Sequence, residues 1–230
     1  MSSAVGGRQR PTPAVAPLVA LLLSLLVVLT GCGAEGTPDD GADGGHDHSG
    51  APAAVEGPED RFAGLDLAEP YRRPSFTLTD TTGAPFDFRA QTAGRPTLLF
   101  FGYTECPDIC PTTMADVAVA LRGLDAALVE DLQMVFVTTD PATDTPEVLG
   151  EYLGRFDADL PVDFVGLTGD QETIDQAQLS TGVPLAEDQG RLHSSLLLLY
   201  GADDEAQVAF DAGNTSRDIA ADLRRVAEDT

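Results

Sequence analysis

Two mainly apolar runs, Pro96 to Tyr103 and Leu132 to Thr139, are each followed by a polar turn and then by a stretch with apolar residues at helical spacing. Continuous apolar runs of this length predict strands buried on both faces, and the stretches after them, Pro111 to Val129 and Pro146 to Phe156, predict helices. Further on, Phe164 to Leu167 predicts a short strand, Gln171 to about Leu179 a helix, and Ser194 to Tyr200 a strand paired in a hairpin with Ala206 to Phe210. Thr215 to Glu228 predicts a closing helix, opened by a capping box of Thr215 with Asp218. Upstream, Phe76 to Thr79 and Phe86 to Phe88 alternate around Thr82 and Gly83, the pattern of an exposed hairpin. Strands alternating with helices, then a hairpin and a last helix, predict an α/β fold: a central mixed sheet with helices on both faces and an added N-terminal hairpin.

Ahead of this domain, placed at 70–230, the pattern changes twice. Arg8 and Arg10 precede an apolar run from Val15 to Leu29 that ends in Leu29-Thr30-Gly31-Cys32. The run is short of the ~20 residues a spanning helix needs. Small residues directly before a cysteine make 1–31 a lipoprotein signal, with lipid expected on Cys32. The domain is then expected on the extracytoplasmic side of the cell membrane, where disulfides persist. Residues 32–69 are rich in Gly, Ala, Pro, Asp and Glu and are expected to form a flexible acidic tether. His46 and His48 within it would make only a weak, unselective metal site.

Charge narrows the partners. All 13 basic residues are arginine and stand against 38 acidic ones, for a formal net charge of −25. Nucleic acid is excluded as a partner on this balance, and the absence of lysine excludes Schiff-base and lysine-nucleophile chemistry. No P-loop, zinc-protease motif or serine-nucleophile elbow occurs.

Chemistry concentrates in Phe101 to Pro111, which sets Cys106 and Cys110 where an apolar strand gives way to a helix. They are the only cysteines after Cys32. A strand-to-helix loop is where open α/β sheets place their sites, and a helix N-terminus favours the thiolate. Such a pair can close a disulfide, or both sulfurs can turn to one soft metal ion. Strand, cysteine turn, helix, strand, hairpin and closing helix is the thioredoxin pattern, with one residue more between the cysteines than the usual Cys-x-x-Cys. Asp140, at the end of the second core strand, is a weak supporting candidate. Thr145 with Pro146 reads as a helix start, and Met114 as core.

The segments Phe101 to Met114, Val135 to Glu147, Gly166 to Asp170 and His193-Ser194 resemble the Sco/SenC proteins in order and spacing. The resemblance implies a thioredoxin-like fold, membrane attachment, and copper, as Cu(I) or Cu(II), held by two cysteines and one histidine. Carried over position by position, the ligands are Cys106, Cys110 and His193, the one histidine of the domain. The implied role is a copper chaperone for the dinuclear copper centre of cytochrome c oxidase. Its partners would be the oxidase's copper-bearing subunit and, through Cys32, the membrane; a monomer is expected. The family often has Asp directly before the histidine, where this chain has Leu192. Two thiolates with one imidazole suit Cu(I), whereas a closed zinc site wants four ligands. Two other readings stay open: a thiol-disulfide oxidoreductase with Cys106 and Cys110 as redox pair, keeping the oxidase cysteines reduced, or a copper or redox sensor.

Overall fold

Successive side chains of a strand point to opposite faces of its sheet, and the run at 97–102 is apolar on both because both are covered. The computed structural model describes residues 61–185 and 196–228. In chain order these form β1 (Leu65–Arg72), β2 (Thr77–Asp80), β3 (Pro85–Asp87), α1 (Phe88–Thr92), β4 (Thr97–Gly102), α2 (Ile109–Arg122) and α3 (Ala126–Asp131). Then come β5 (Gln133–Thr138), α4 (Pro146–Asp157), β6 (Val165–Thr168), α5 (Gln171–Ser180), β7 (Leu197–Tyr200), β8 (Glu205–Phe210) and α6 (Ser216–Glu228). Leu98 and Phe100 of β4 join a core with Met114 and Leu121 of α2, Leu149 of α4 and Leu223 of α6. Leu99 and Phe101 point the other way, to Phe88 of α1 and Ile174 of α5. This is the mixed sheet with helices on both faces that the pattern predicts.

The eight strands lie in the order β1-β8-β7-β4-β5-β6-β2-β3. β4 runs parallel to β5, and β5 to β6, while β7 is antiparallel to β4 and β8 antiparallel to β7. The expected hairpin is β2 with β3, attached at the edge through β6. Parallel pairing of β4 with β5 brings the chain out of both strands at one end of the sheet, Gly102 opposite Thr138. Residues 103–108 and 139–145 therefore share that end.

Two expectations need correction, and one element was not foreseen. The tether predicted through residue 69 overlaps β1, which starts at Leu65 and pairs with β8 from Leu65↔Ala209 to Arg72↔Glu205. Phe62 is already buried, and the carboxylate of Asp222 on α6 accepts the amide N–H groups of Ala63 (2.9 Å) and Gly64 (2.8 Å). An edge strand held by its backbone needs little apolar side chain, so composition underestimates it. The helix predicted over 111–129 is two helices: Gly123 ends α2 by donating its N–H to the Ala120 carbonyl, and Asp125 precedes α3. The five-residue α1, capped by Asp87 accepting from the Ala90 N–H (3.0 Å), is too short to show a periodicity.

Other local readings hold. The Thr145 hydroxyl accepts from the Val148 N–H with Pro146 in the first turn of α4. Asp218 supplies its half of the capping box, accepting from the Thr215 N–H at 2.7 Å. The leader, Cys32, His46, His48, Leu192 and His193 lie outside the described residues.

Candidate metal centre

The cysteine loop is built by hydrogen bonds to the backbone that surrounds it. Where β4 ends, the Gly102 carbonyl accepts from the Thr139 N–H at 2.7 Å, extending the parallel pairing by one step. The chain then turns, with the Cys106 N–H donating to the Tyr103 carbonyl (3.3 Å), and enters α2. Asp108 holds the N-cap position of α2, yet its carboxylate makes no capping bond. The sulfur of Cys106 takes that place, accepting the Cys110 N–H at 3.4 Å. The first amides of a helix are otherwise unpaired and carry partial positive charge, so a thiolate at that point is stabilised.

The two thiols are consequently unequal. Partial burial works against ionisation of Cys106, but the amides of Asp108, Cys110 and Ile109 together with the Cys110 thiol outweigh it and hold its pKa below the ordinary value. Cys110 is fully buried, and that burial pushes its thiol far above the ordinary value. Neither cysteine is in a disulfide. One sulfur is thus half-exposed and readily ionised, and the other is enclosed and protonated.

The residue that sequence reasoning missed is Asp144. Its carboxylate is fully buried and accepts from the Thr104 N–H (3.0 Å), the Thr104 hydroxyl (2.5 Å) and the Thr138 hydroxyl (2.6 Å). It ties the start of the cysteine loop to the end of β5. Asp140, the weaker candidate, contributes its backbone: its N–H donates to the Thr138 hydroxyl (3.0 Å) and its carbonyl accepts from the Asp144 N–H (2.9 Å). An available signal was that Thr145 caps α4, which leaves the aspartate before it without a local task. Gly102 is a second residue whose role the sequence does not disclose. A Cβ there would lie 2.8 Å from the Cys110 sulfur and 2.8 Å from the Phe100 ring, so the glycine makes room for the sulfur. Tyr152 of α4 packs its ring against Phe136, centroids 5.7 Å apart, and its buried hydroxyl has no hydrogen-bond partner among the described residues. Met114 is fully buried in the core, as its spacing predicts.

Among the described residues no group of three or more His, Cys, Asp or Glu side chains is placed to hold a metal ion. The expected third ligand, His193, lies outside them. Two reduced thiols, one in the loop ahead of α2 and inclined to ionise and one in the first turn of that helix, match the donors that soft monovalent copper prefers. No helix of the described residues is long and apolar enough to cross a membrane.

The SCO1/SenC family model matches residues 67–228, and the chain belongs to that family. A Stutzerimonas stutzeri protein named for copper binding is 40% identical over 156 residues, covering 63% of this chain and 74% of that protein. The human mitochondrial SCO1 homolog is 30% identical over 158 residues, covering 61% of this chain and 51% of its own length. The chain thus spans about half of that mitochondrial relative. Among solved structures, Bradyrhizobium japonicum ScoI with copper bound is 32% identical, with a TM-score of 0.53, over 69% of this chain and 98% of that one. The Sco neighbours place the chain in the thioredoxin-like α/β class.

Proposed function

We propose that this protein is a membrane-anchored, extracytoplasmic copper chaperone that holds copper with Cys106, Cys110 and His193. Its task is to help assemble the dinuclear copper centre of cytochrome c oxidase by delivering copper to the copper-bearing subunit. The observation that carries this reading is the pair of reduced, unequal thiols at the head of α2, in a chain of a family whose members include a structure solved with copper bound. Copper is the cargo. Cys106 offers a thiolate at little cost, and a soft cation entering the loop would displace the proton of Cys110, so binding releases protons. Lipid on Cys32 would keep the domain near its membrane partner through a raised effective concentration.

The decisive experiment is copper titration of the reduced and oxidised protein. The reduced protein is expected to bind one copper ion, and the Cys106–Cys110 disulfide form to lose tight Cu(I) binding, because a disulfide offers no thiolate. Unchanged stoichiometry and affinity in a Cys106→Ser, Cys110→Ser double variant would sink the assignment.

The same unequal thiols favour a second reading, thiol-disulfide exchange. Cys106 thiolate would attack a partner disulfide and form a mixed disulfide; Cys110, losing its proton, would then close the Cys106–Cys110 bond and release the partner as dithiol, two electrons having passed to it. His193→Ala separates the readings, since exchange needs only the cysteines whereas a three-ligand copper site loses a member.

A further inference from the structure

Beside the cysteine loop, between the first turns of α2 and the turn after β8, lies a groove of about 180 Å³. Asp108 and Ile109, the two residues in front of Cys110, form its near wall, and Asp116 extends that wall two turns along the same helix face. Leu197 and Phe210 supply an apolar floor, and Asp211 stands on the far side. Among the described residues, the ionisable side chains lining the groove are three aspartates, with no arginine beside them. An aspartate at an N-cap ordinarily accepts from the helix amides. Because the Cys106 sulfur accepts the Cys110 N–H and Asp108 makes no capping bond, the Asp108 carboxylate stands on the groove as an uncommitted charge.

We infer that this groove is the docking site for a cationic segment of the protein with which the cysteines exchange copper. The segment it fits is a loop or extended stretch with an apolar side chain, to pack on the partly exposed Ile109 above the already buried Leu197 and Phe210, flanked by arginine or lysine to meet Asp108, Asp116 and Asp211. The inference rests on the copper-chaperone reading and adds where, and by what chemistry, the partner is recognised. A second copy of this chain does not suit, since a molecule of net charge −25 without lysine would bring like charge to the groove. An occupant of the groove touches the two residues directly before Cys110, so recognition and the metal loop form one surface. Opposite charge there also steers the encounter, an effect that weakens with salt.

The test uses the copper-loaded full-length chain in detergent, with the soluble copper-bearing domain of the oxidase subunit, metal-free, as probe. Asp116→Lys with Asp211→Lys reverses the groove. Asp125→Lys with Glu130→Lys makes the same charge change at the N-cap and in the last turn of α3, beside the start of β5 at the other end of the sheet. Copper titration accompanies every variant. The groove pair is expected to weaken association about tenfold or more, the scale of close interfacial charge pairs. The remote pair is expected to change it by less than about twofold, as exposed charges do, with copper stoichiometry unchanged throughout. Should the lysine pair fail to fold, Asp116→Asn with Asp211→Asn replaces it, and is expected to weaken association about threefold, the scale of a lost surface charge pair. The amide oxygen of that second substitution can still accept the Gly213 N–H that Asp211 accepts at 2.7 Å. No association of the copper-loaded chain, no effect of the groove variants, or equal effects of both pairs would overturn the groove. Failure of the unsubstituted chain to bind copper would instead overturn the chaperone reading.

Discussion

A buried charge secures each end of β4, and the two ends use it differently. At the start of the strand, Arg73 is buried and donates to the Asp204 carboxylate (2.7 Å), the Thr92 hydroxyl (2.9 Å) and the carbonyls of Arg95 (3.0 Å) and Gly201 (2.8 Å). Its guanidinium also stacks on Tyr200, 5.0 Å from the ring centroid. About 20 Å away, on a six-residue strand at ~3.3 Å per residue, Asp144 is the buried charge. It too is fully bonded, but what it holds is a loop bearing two ionisable sulfurs. The Arg73 cluster closes on itself and joins α1 to the β7–β8 turn. The Asp144 cluster fixes a backbone and leaves the sulfurs on it available for chemistry.

Substitutions at the two ends should separate those roles. The largest effect is expected from Arg73→Ala, which takes one donor each from a partly buried carboxylate and two carbonyls and removes the charge at the centre of the cluster. A loss of about 3–5 kcal/mol is expected in chemical denaturation, with unchanged cysteine reactivity in whatever remains folded. Arg73→Lys should recover only part, because an ammonium cannot span the acceptors of a planar guanidinium.

Asp144→Ala comes next, at about 3 kcal/mol for removing a charged acceptor of three hydrogen bonds. Unlike the arginine variant it should also loosen the loop, lowering copper affinity and speeding alkylation of the cysteines. A stability loss of that size with unaltered thiol reactivity would show that Asp144 holds the fold and not the loop. Gly102→Ala should cost about 1–3 kcal/mol through overpacking and displace the Cys110 sulfur, which a copper titration would read as weakened binding.

Smaller effects concern protons. In the reduced, metal-free protein, iodoacetamide followed by mass mapping should modify Cys106 first, because its folded pKa is depressed, and leave Cys110 largely protected. The Cys106 thiolate adds stability above its unfolded pKa, and that stability is lost as pH falls through the folded value. Cys110 acts in the opposite sense: once pH rises past the ordinary cysteine value of 9.0, the unfolded chain ionises there and the folded one does not, so stability declines. The smallest expected change is Tyr152→Phe. It removes a buried hydroxyl that has no partner among the described residues, so denaturation should shift by no more than about 0.5 kcal/mol, and toward greater stability.

What could be read in advance follows the range of the interactions. β4 and β5 announce themselves because burial on both faces demands a mainly apolar run, and the cysteine loop because its residues are contiguous. Asp144 did not, since Thr104 lies 40 positions from it, and Arg73 did not, since Asp204 lies 131 positions away. Hydrogen bonds across such separations leave no local pattern. β1 failed for another reason: Leu65 is 43% exposed and most of the strand's side chains face outward, so its place depends on backbone pairing with β8.

The way the chain enters the fold has a mechanical consequence. β1 is an edge strand, antiparallel to β8, and its first residues lie opposite Ala209 and Val208, at the end of the sheet where the cysteines are. Tension applied ahead of Arg61 would act on that edge as on a zipper, opening hydrogen bonds one at a time instead of shearing many together. The Asp222 carboxylate, rooted on a helix packed into the core, grips Ala63 and Gly64 before the first ladder bond. Load arriving from the N-terminal side is therefore passed to α6, and the zipper does not start to open until that grip fails.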